Sequence, residues 1–153
     1  MALRAFVVSS LVMKTALALL MMAQLVAPNI TIPQVMSAKF STPSPIKAGR
    51  KGSVTVSFNL VKGYKINREP TITLELTPVA GLTLAEKSID ASSIDKKSKD
   101  EYYVDLPTLN VGVTAAKAGR YEVPGKLIYF FCSTSDGFCS KQTVDVKMPL
   151  QVE

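Results

Sequence analysis

Beyond residue 28, every clear hydrophobic pattern in this chain repeats at every second residue, and no stretch carries a convincing helical stripe. A period of two sends successive side chains to opposite faces of an extended strand, so the pattern restricts the chain to β-structure. Val54, Val56, Phe58 and Leu60 alternate with Thr55, Ser57 and Asn59. Ile72, Leu74 and Leu76 alternate with Thr71, Thr73 and Glu75. Ala115 to Ala118 is too short to make a helix.

Turn residues punctuate the alternation. Lys62-Gly63 begins a turn, Pro78 ends the second strand, Ala80-Gly81 precedes a short strand at Leu82 to Leu84, and Ala118-Gly119 marks another turn. Tyr102 to Leu106 and Leu109 to Val113 read as strands divided at Pro107. Tyr121 to Cys132 and Phe138 to Val152 read as the closing pair. Glu86 to Asp100 is polar, carries only Ile89 and Ile94, and reads as a long loop. About seven short strands at this spacing predict an all-β fold, an immunoglobulin-like antiparallel β-sandwich. A true immunoglobulin domain would clasp its sheets with two distant cysteines against a tryptophan. Here tryptophan is absent and the cysteines lie close together in sequence. No repeat or linker divides residues 28–153, which read as one domain.

Residues 1–27 read as an address and not as part of that domain. Ala5 to Ala27 is almost wholly apolar, interrupted by Lys14 and a few small polar residues. Met13-Lys14 and the apolar run to Ala27 form a complete secretory signal on their own, which makes Met13 an alternative start. Cleavage is expected near Ala23 or Ala27. An uncleaved anchor is the competing reading, since the run reaches the roughly 20 residues of a membrane span; Lys14 in its middle favours a cleaved signal. Removing the segment takes away Arg4 and Lys14 and lowers the net charge from +6 to +4. Export, to the periplasm or outside the cell, would put the cysteines where a disulfide persists.

The chain contains no histidine. That excludes Ser-His-Asp and Cys-His catalysis and any His-ligated metal. Two cysteines are too few for a zinc finger, so neither a metal nor another cofactor is expected. The richest basic run, Lys96, Lys97 and Lys99, lies beside Asp95 and Asp100 and has no aromatic among it. It reads as a solvated loop, and no nucleic-acid partner is expected.

Cys132-Ser-Thr-Ser-Asp-Gly-Phe-Cys139 joins the two closing strands, and Asp136-Gly137 is a turn signal. A four-residue loop from Thr134 to Gly137 sets Ser133 against Phe138 and Cys132 against Cys139. The same register pairs Phe131 with Ser140, Tyr129 with Gln142, Leu127 with Val144, Gly125 with Val146 and Val123 with Met148, which is mostly a core face. The other face pairs Phe130 with Lys141, Ile128 with Thr143 and Lys126 with Asp145. A slip of one residue would turn one strand over and separate the apolar faces. The bridge would therefore lie on the less buried face, near the tip. As a staple, a loop this short contributes ~2.5 kcal/mol in the chain-entropy picture. As a reducible pair, it has Lys141 on the face of Cys139 to favour a thiolate. The residues alone leave these two readings even.

The chain resembles the N-terminal periplasmic domain of the thiol:disulfide interchange protein DsbD family. The landmarks are Phe58 to Asn67 (FNLVKGYKIN), the Tyr102 to Val113 strands, Gly119 before the last hairpin, and Tyr129-Phe-Phe-Cys132 with Asp136-Gly-Phe-Cys139. The resemblance covers most of residues 52–153. It implies an immunoglobulin-like fold and a redox pair at Cys132 and Cys139, with Tyr129 and Phe138 as aromatic positions beside it. It also implies a thioredoxin-like or DsbD-type membrane redox protein as electron donor or acceptor. Where the family shields its disulfide with an aromatic-bearing loop, Glu86 to Asp100 has no aromatic; Tyr102 and Tyr103 follow it. Two functions are thereby set against each other. One is an exported thiol–disulfide exchange module, an activity that needs no histidine. The other is a non-enzymatic envelope binding or structural sandwich with a stapled tip.

Overall fold

The computed structural model describes residues 32–92 and 100–153. The expected signal segment and the basic run from Lys96 to Lys99 lie outside the described residues. Pro33–Glu153 forms one compact unit. It is an immunoglobulin-like antiparallel β-sandwich with no helix among the described residues.

The strands are β1 (Met36–Ser41), β2 (Lys51–Leu60), β3 (Tyr64–Ile66), β4 (Thr73–Leu76), β5 (Leu82–Leu84), β6 (Ser88–Asp90), β7 (Leu109–Ala115), β8 (Gly119–Ser133) and β9 (Cys139–Val152). One sheet has the order β1-β2-β7-β5. The other is organised on β8, which pairs with β9 along its length on one side. On its other side β8 takes β4 at Gly125 to Ile128 and β3 at Phe131 to Ser133, and β6 adds to β4.

The period-two patterns become the two inner faces. Val54 and Val56 of β2, Leu109, Val111 and Val113 of β7, and Leu74 of β4 are all at most 2% exposed. Val123, Leu127, Tyr129 and Phe131 of β8 are completely buried. Each such side chain contributes on the order of 1.5–3 kcal/mol relative to exposure. The predicted hairpin register holds pair for pair, from Cys132 opposite Cys139 to Val123 opposite Met148. Lys126 stands opposite Asp145 as expected, and one exposed ion pair joins Lys147 to Glu122 at 2.8 Å.

Several expectations need correction. The strand count is nine among the described residues, against about seven. Tyr102 to Leu106 is not a strand; Tyr102 makes a single bridge to Asn67, and Val104 is 83% exposed, so this alternation has no core face to match. The polar stretch after Glu86 is not wholly a loop, because Ser88–Asp90 pairs with β4 and buries Ile89. β1 was also absent from the sequence pattern. It rests on a polar network in which Met36 N–H donates to Tyr129 Oη (3.1 Å), Val35 N–H to Gln142 Oε1 (3.2 Å) and Gln142 Nε2 to the Pro33 carbonyl (3.2 Å).

Candidate functional site

The Cys132–Cys139 disulfide closes the β8–β9 ladder at its tip. Ser133 N–H donates to the Phe138 carbonyl (2.8 Å), so Cys132 and Cys139 form the adjacent pair without mutual backbone bonds. That is the closer class of antiparallel pair, with Cα atoms about 4.5 Å apart; here they are 4.0 Å apart. Side chains on one face at this spacing can be bridged without moving either strand.

The tip is pinned from within and from below. The Ser133 hydroxyl accepts from Asp136 N–H (3.2 Å) and from Ser135 Oγ–H (3.2 Å) and donates to Asp136 Oδ2 (3.2 Å). Gly137 takes φ 67°, a left-handed conformation that a side chain would strain. Thr134 donates both N–H (2.8 Å) and Oγ1–H (2.9 Å) to the Gly63 carbonyl in the β2–β3 turn. The two sulfurs are therefore held on a rigid element and not on a loose loop.

The two halves of the bridge differ sharply. Cys132 is 6% exposed, whereas Cys139 lies open to solvent. Tyr102 and Asn67 approach the Cys132 sulfur. Arg68 N–H donates to the Glu101 carbonyl (2.9 Å) and Tyr103 N–H to the Ile66 carbonyl (3.0 Å), which fasten the segment from Asp100 to Tyr103 along β3. Tyr102 then donates its hydroxyl to Cys132 Sγ at 3.6 Å. Partial desolvation and the adjacent Glu101 carboxylate hold the Tyr102 phenol above its ordinary value, so it keeps its proton well past neutral pH. Asn67 Oδ1 also lies 3.6 Å from Cys132 Sγ. A disulfide sulfur has no proton to give, so this contact is a hydrogen bond only with the amide turned to present Nδ2. Lys65 stands opposite Cys132 in the β3–β8 ladder, with Nζ 5.3 Å from the centre of the Tyr102 ring.

The residues singled out in the sequence fall in three different places. Cys132 and Cys139 are brought together. Phe138 adjoins Cys139 in sequence, but alternation turns its ring away from the sulfurs and edge-on to Phe131 at 5.9 Å, and it is 40% exposed. Tyr129 is on the opposite face, fully buried, where its hydroxyl meets Gln142 Oε1 at 2.5 Å; burial raises its pKa above 10.0. It anchors the core and does not line the sulfurs. Lys141 shares the face of Cys139, but its ammonium sits 6.0 Å from the Phe130 ring centre. The groups that approach the Cys132 sulfur are Tyr102 and Asn67, with Lys65 its partner across the ladder. Sequence reasoning missed all three as site residues, because β3 is three residues long and the segment carrying Tyr102 has no periodicity. The one signal was the pair of tyrosines directly after the polar stretch.

No protein-family model matches the chain, and no curated protein matches it. Among solved structures, it is similar to a cohesin module of a Clostridium perfringens family 33 glycoside hydrolase, with TM-score 0.42 and 10% identity over 79% of this chain and 100% of that one. It is similar to the GAE domain of yeast GGA1, with TM-score 0.41 and 10% identity over 76% and 95%. It is also similar to murine CRIg, with TM-score 0.34 and 10% identity over 76% and 98%. Likeness at this level says nothing about activity.

Proposed function

We propose that this chain is an exported thiol–disulfide exchange module that passes reducing equivalents through Cys132 and Cys139. The observation that carries the reading is the unequal bridge: one sulfur open to a partner, the other covered and met by a phenol proton. An attacking thiolate needs a line of approach to one sulfur and a leaving thiolate that the protein can stabilise. Cys139 offers the first and Cys132 the second. A partner thiolate bonds to Cys139 Sγ, the Cys132–Cys139 bond breaks, and Cys132 leaves as a thiolate that accepts from Tyr102. The partner's second thiol then resolves the mixed disulfide. The partner is oxidised by two electrons, and both cysteines end as thiols. The reverse sequence reduces a partner disulfide. The resemblance to the DsbD N-terminal domain supports the same reading and favours a thioredoxin-like or membrane redox partner in the cell envelope.

Two measurements test it. The midpoint potential of the pair is expected between about −180 and −270 mV, the range of exchange proteins. A value below about −300 mV would mean a bond that thiol partners do not open, leaving a stapled binding or structural sandwich. Single-cysteine variants give the second test. Cys132→Ser, which keeps the exposed sulfur as a thiol, should form mixed disulfides with an oxidised thioredoxin-like protein, the Cys139 thiolate breaking the partner's disulfide and releasing its second cysteine as a thiol, and Cys139→Ser should form far fewer.

A further inference from the structure

Among the described residues β9 is a terminal strand of its sheet, and its outer edge is unpaired until the Ile46 bridge at Val152. An antiparallel ladder alternates residues that bond to the partner strand with residues whose N–H and C=O point the other way. The Ser133–Phe138 bond sets the phase, so Ser140, Gln142, Val144 and Val146 aim their backbone groups at β8. Cys139, Lys141, Thr143, Asp145 and Lys147 aim theirs outward. Glu153 confirms the alternation at the far end, where its N–H reaches the Ile46 carbonyl and its carbonyl takes Ala48 N–H, both at 2.8 Å. Among the described residues no strand pairs with the edge between Cys139 and Lys147. All five outward residues are exposed.

Edge lysines ordinarily discourage strand addition. Here they do so in every two-fold register except those that avoid like charges. We propose that the β9 edge is an interface between two copies of this chain, paired antiparallel about a two-fold axis at Thr143. This register sets each Lys141 opposite the second copy's Asp145, and each Thr143 opposite its own equivalent. Cys139 then faces the second copy's Lys147. Moving the axis to residue 141 puts Lys141 on Lys141, and to residue 145 puts Asp145 on Asp145. An axis at residue 144 sets Lys141 on Lys147. An axis at residue 142 has no like pair, but it leaves Lys141 opposite Thr143 and gains no ion pair. Charge therefore selects the Thr143 axis, and backbone phase agrees with it, because the odd-numbered residues are those with outward N–H and C=O groups. The occupant is a second copy because the edge is its own complement. The inference is independent of the redox reading.

The test is sedimentation equilibrium of the full chain with its disulfide formed. The mass is expected to rise from 16.5 kDa toward twice that with concentration. Asp145→Lys and Lys141→Asp, each placing like charges face to face, should each weaken association about tenfold. Lys141→Asp combined with Asp145→Lys should return it to within about threefold of the parent. Circular dichroism checks that each variant keeps its sheet content, and the amide protons of Lys141, Thr143 and Asp145 should exchange more slowly as concentration rises. A monomer at every concentration up to about 1 mM, a range in which specific contacts form readily, overturns the proposal. So does a dimer indifferent to the single reversals, or one that the double reversal does not restore.

Discussion

The two ends of the β8–β9 hairpin are held by different physics. Toward its base, Val123, Leu127, Met148, Leu150 and Val152 are all at most 3% exposed and pack into the shared core. These contacts are non-directional and additive with area, so what matters there is volume. At the tip, the holding groups are a covalent bond, the Ser133 hydroxyl, the Gly63 carbonyl and the Tyr102 phenol. These are directional, and what matters is geometry. On this difference, opening the bond between the two strands is expected to leave the fold in place. The strands are already fixed by the other end.

The largest effect should come from a void at the base end. Leu127→Ala is expected to cost about 2–5 kcal/mol in urea unfolding, with the spread set by how far the neighbours can collapse. Next comes removal of the bridge. Cys132→Ser with Cys139→Ser should cost about 2.5 kcal/mol and leave a folded protein with an unchanged far-ultraviolet spectrum. If that double variant is unfolded at 25 °C while Leu127→Ala remains folded, the comparison between the ends is inverted and the bridge is structural.

Midway along the hairpin, Tyr129 combines both kinds of hold. Its ring fills the core while its hydroxyl bonds to Gln142 and the β1 backbone. Tyr129→Phe keeps the volume but strands Met36 N–H and removes one of the two donors to Gln142 Oε1, leaving it the Val35 N–H, and is expected to cost about 1–2 kcal/mol. It should also change the alkaline limb of stability. Burial raises the Tyr129 pKa in the fold above 10.0. Below about pH 10 both states hold the proton and the contribution is complete. As pH rises further, the unfolded chain releases a proton that the folded chain retains, so stability falls until the folded pKa is passed. Unfolding followed from pH 9 to 11 should show a shallower fall in Tyr129→Phe.

Much of this hairpin was legible in the sequence. The register from Cys132–Cys139 to Val123–Met148 follows from the four-residue loop Thr134 to Gly137 and is supported by the apolar faces, because a slip of one residue would turn one strand over. β2, β4, β5 and β7 were legible from their alternation of period two. The environment of Cys132 was not. Tyr102 reaches the sulfur through a single bridge to Asn67 and two backbone bonds from β3, which are long-range pairings with no periodic signature. Lys141 was chosen because it is near Cys139 on the same strand and face. Cross-strand neighbours cannot be ranked before the neighbouring strand is known, and the strand that faces Cys132 supplies Lys65 instead. Tyr129 stands beside the cysteines only as the resemblance implies; the register itself pairs it with Gln142 on the core face, because an odd separation in a strand puts it on the other face.

The smallest effect on stability should be the most informative about chemistry. Tyr102→Phe removes one hydroxyl from a half-buried ring and leaves the packing intact. Its cost in unfolding free energy is expected within about 0.5 kcal/mol. The same hydroxyl faces Cys132 Sγ, where negative charge develops when a thiolate attacks Cys139. Hydrogen bonds to charged groups are roughly twice as strong as neutral ones, so the contact gains strength between the disulfide and the departing thiolate. Only that gain affects the rate. At pH 7 to 8 the Tyr102 phenol, held above its ordinary pKa, still has its proton, so the effect should not fade across that range. Reduction of the bridge by dithiothreitol should slow by about three- to tenfold in Tyr102→Phe. An unchanged rate would mean that the unequal exposure of the two sulfurs is a matter of packing alone. A slowed rate at unchanged stability would separate the tip from the base by function as well as by structure.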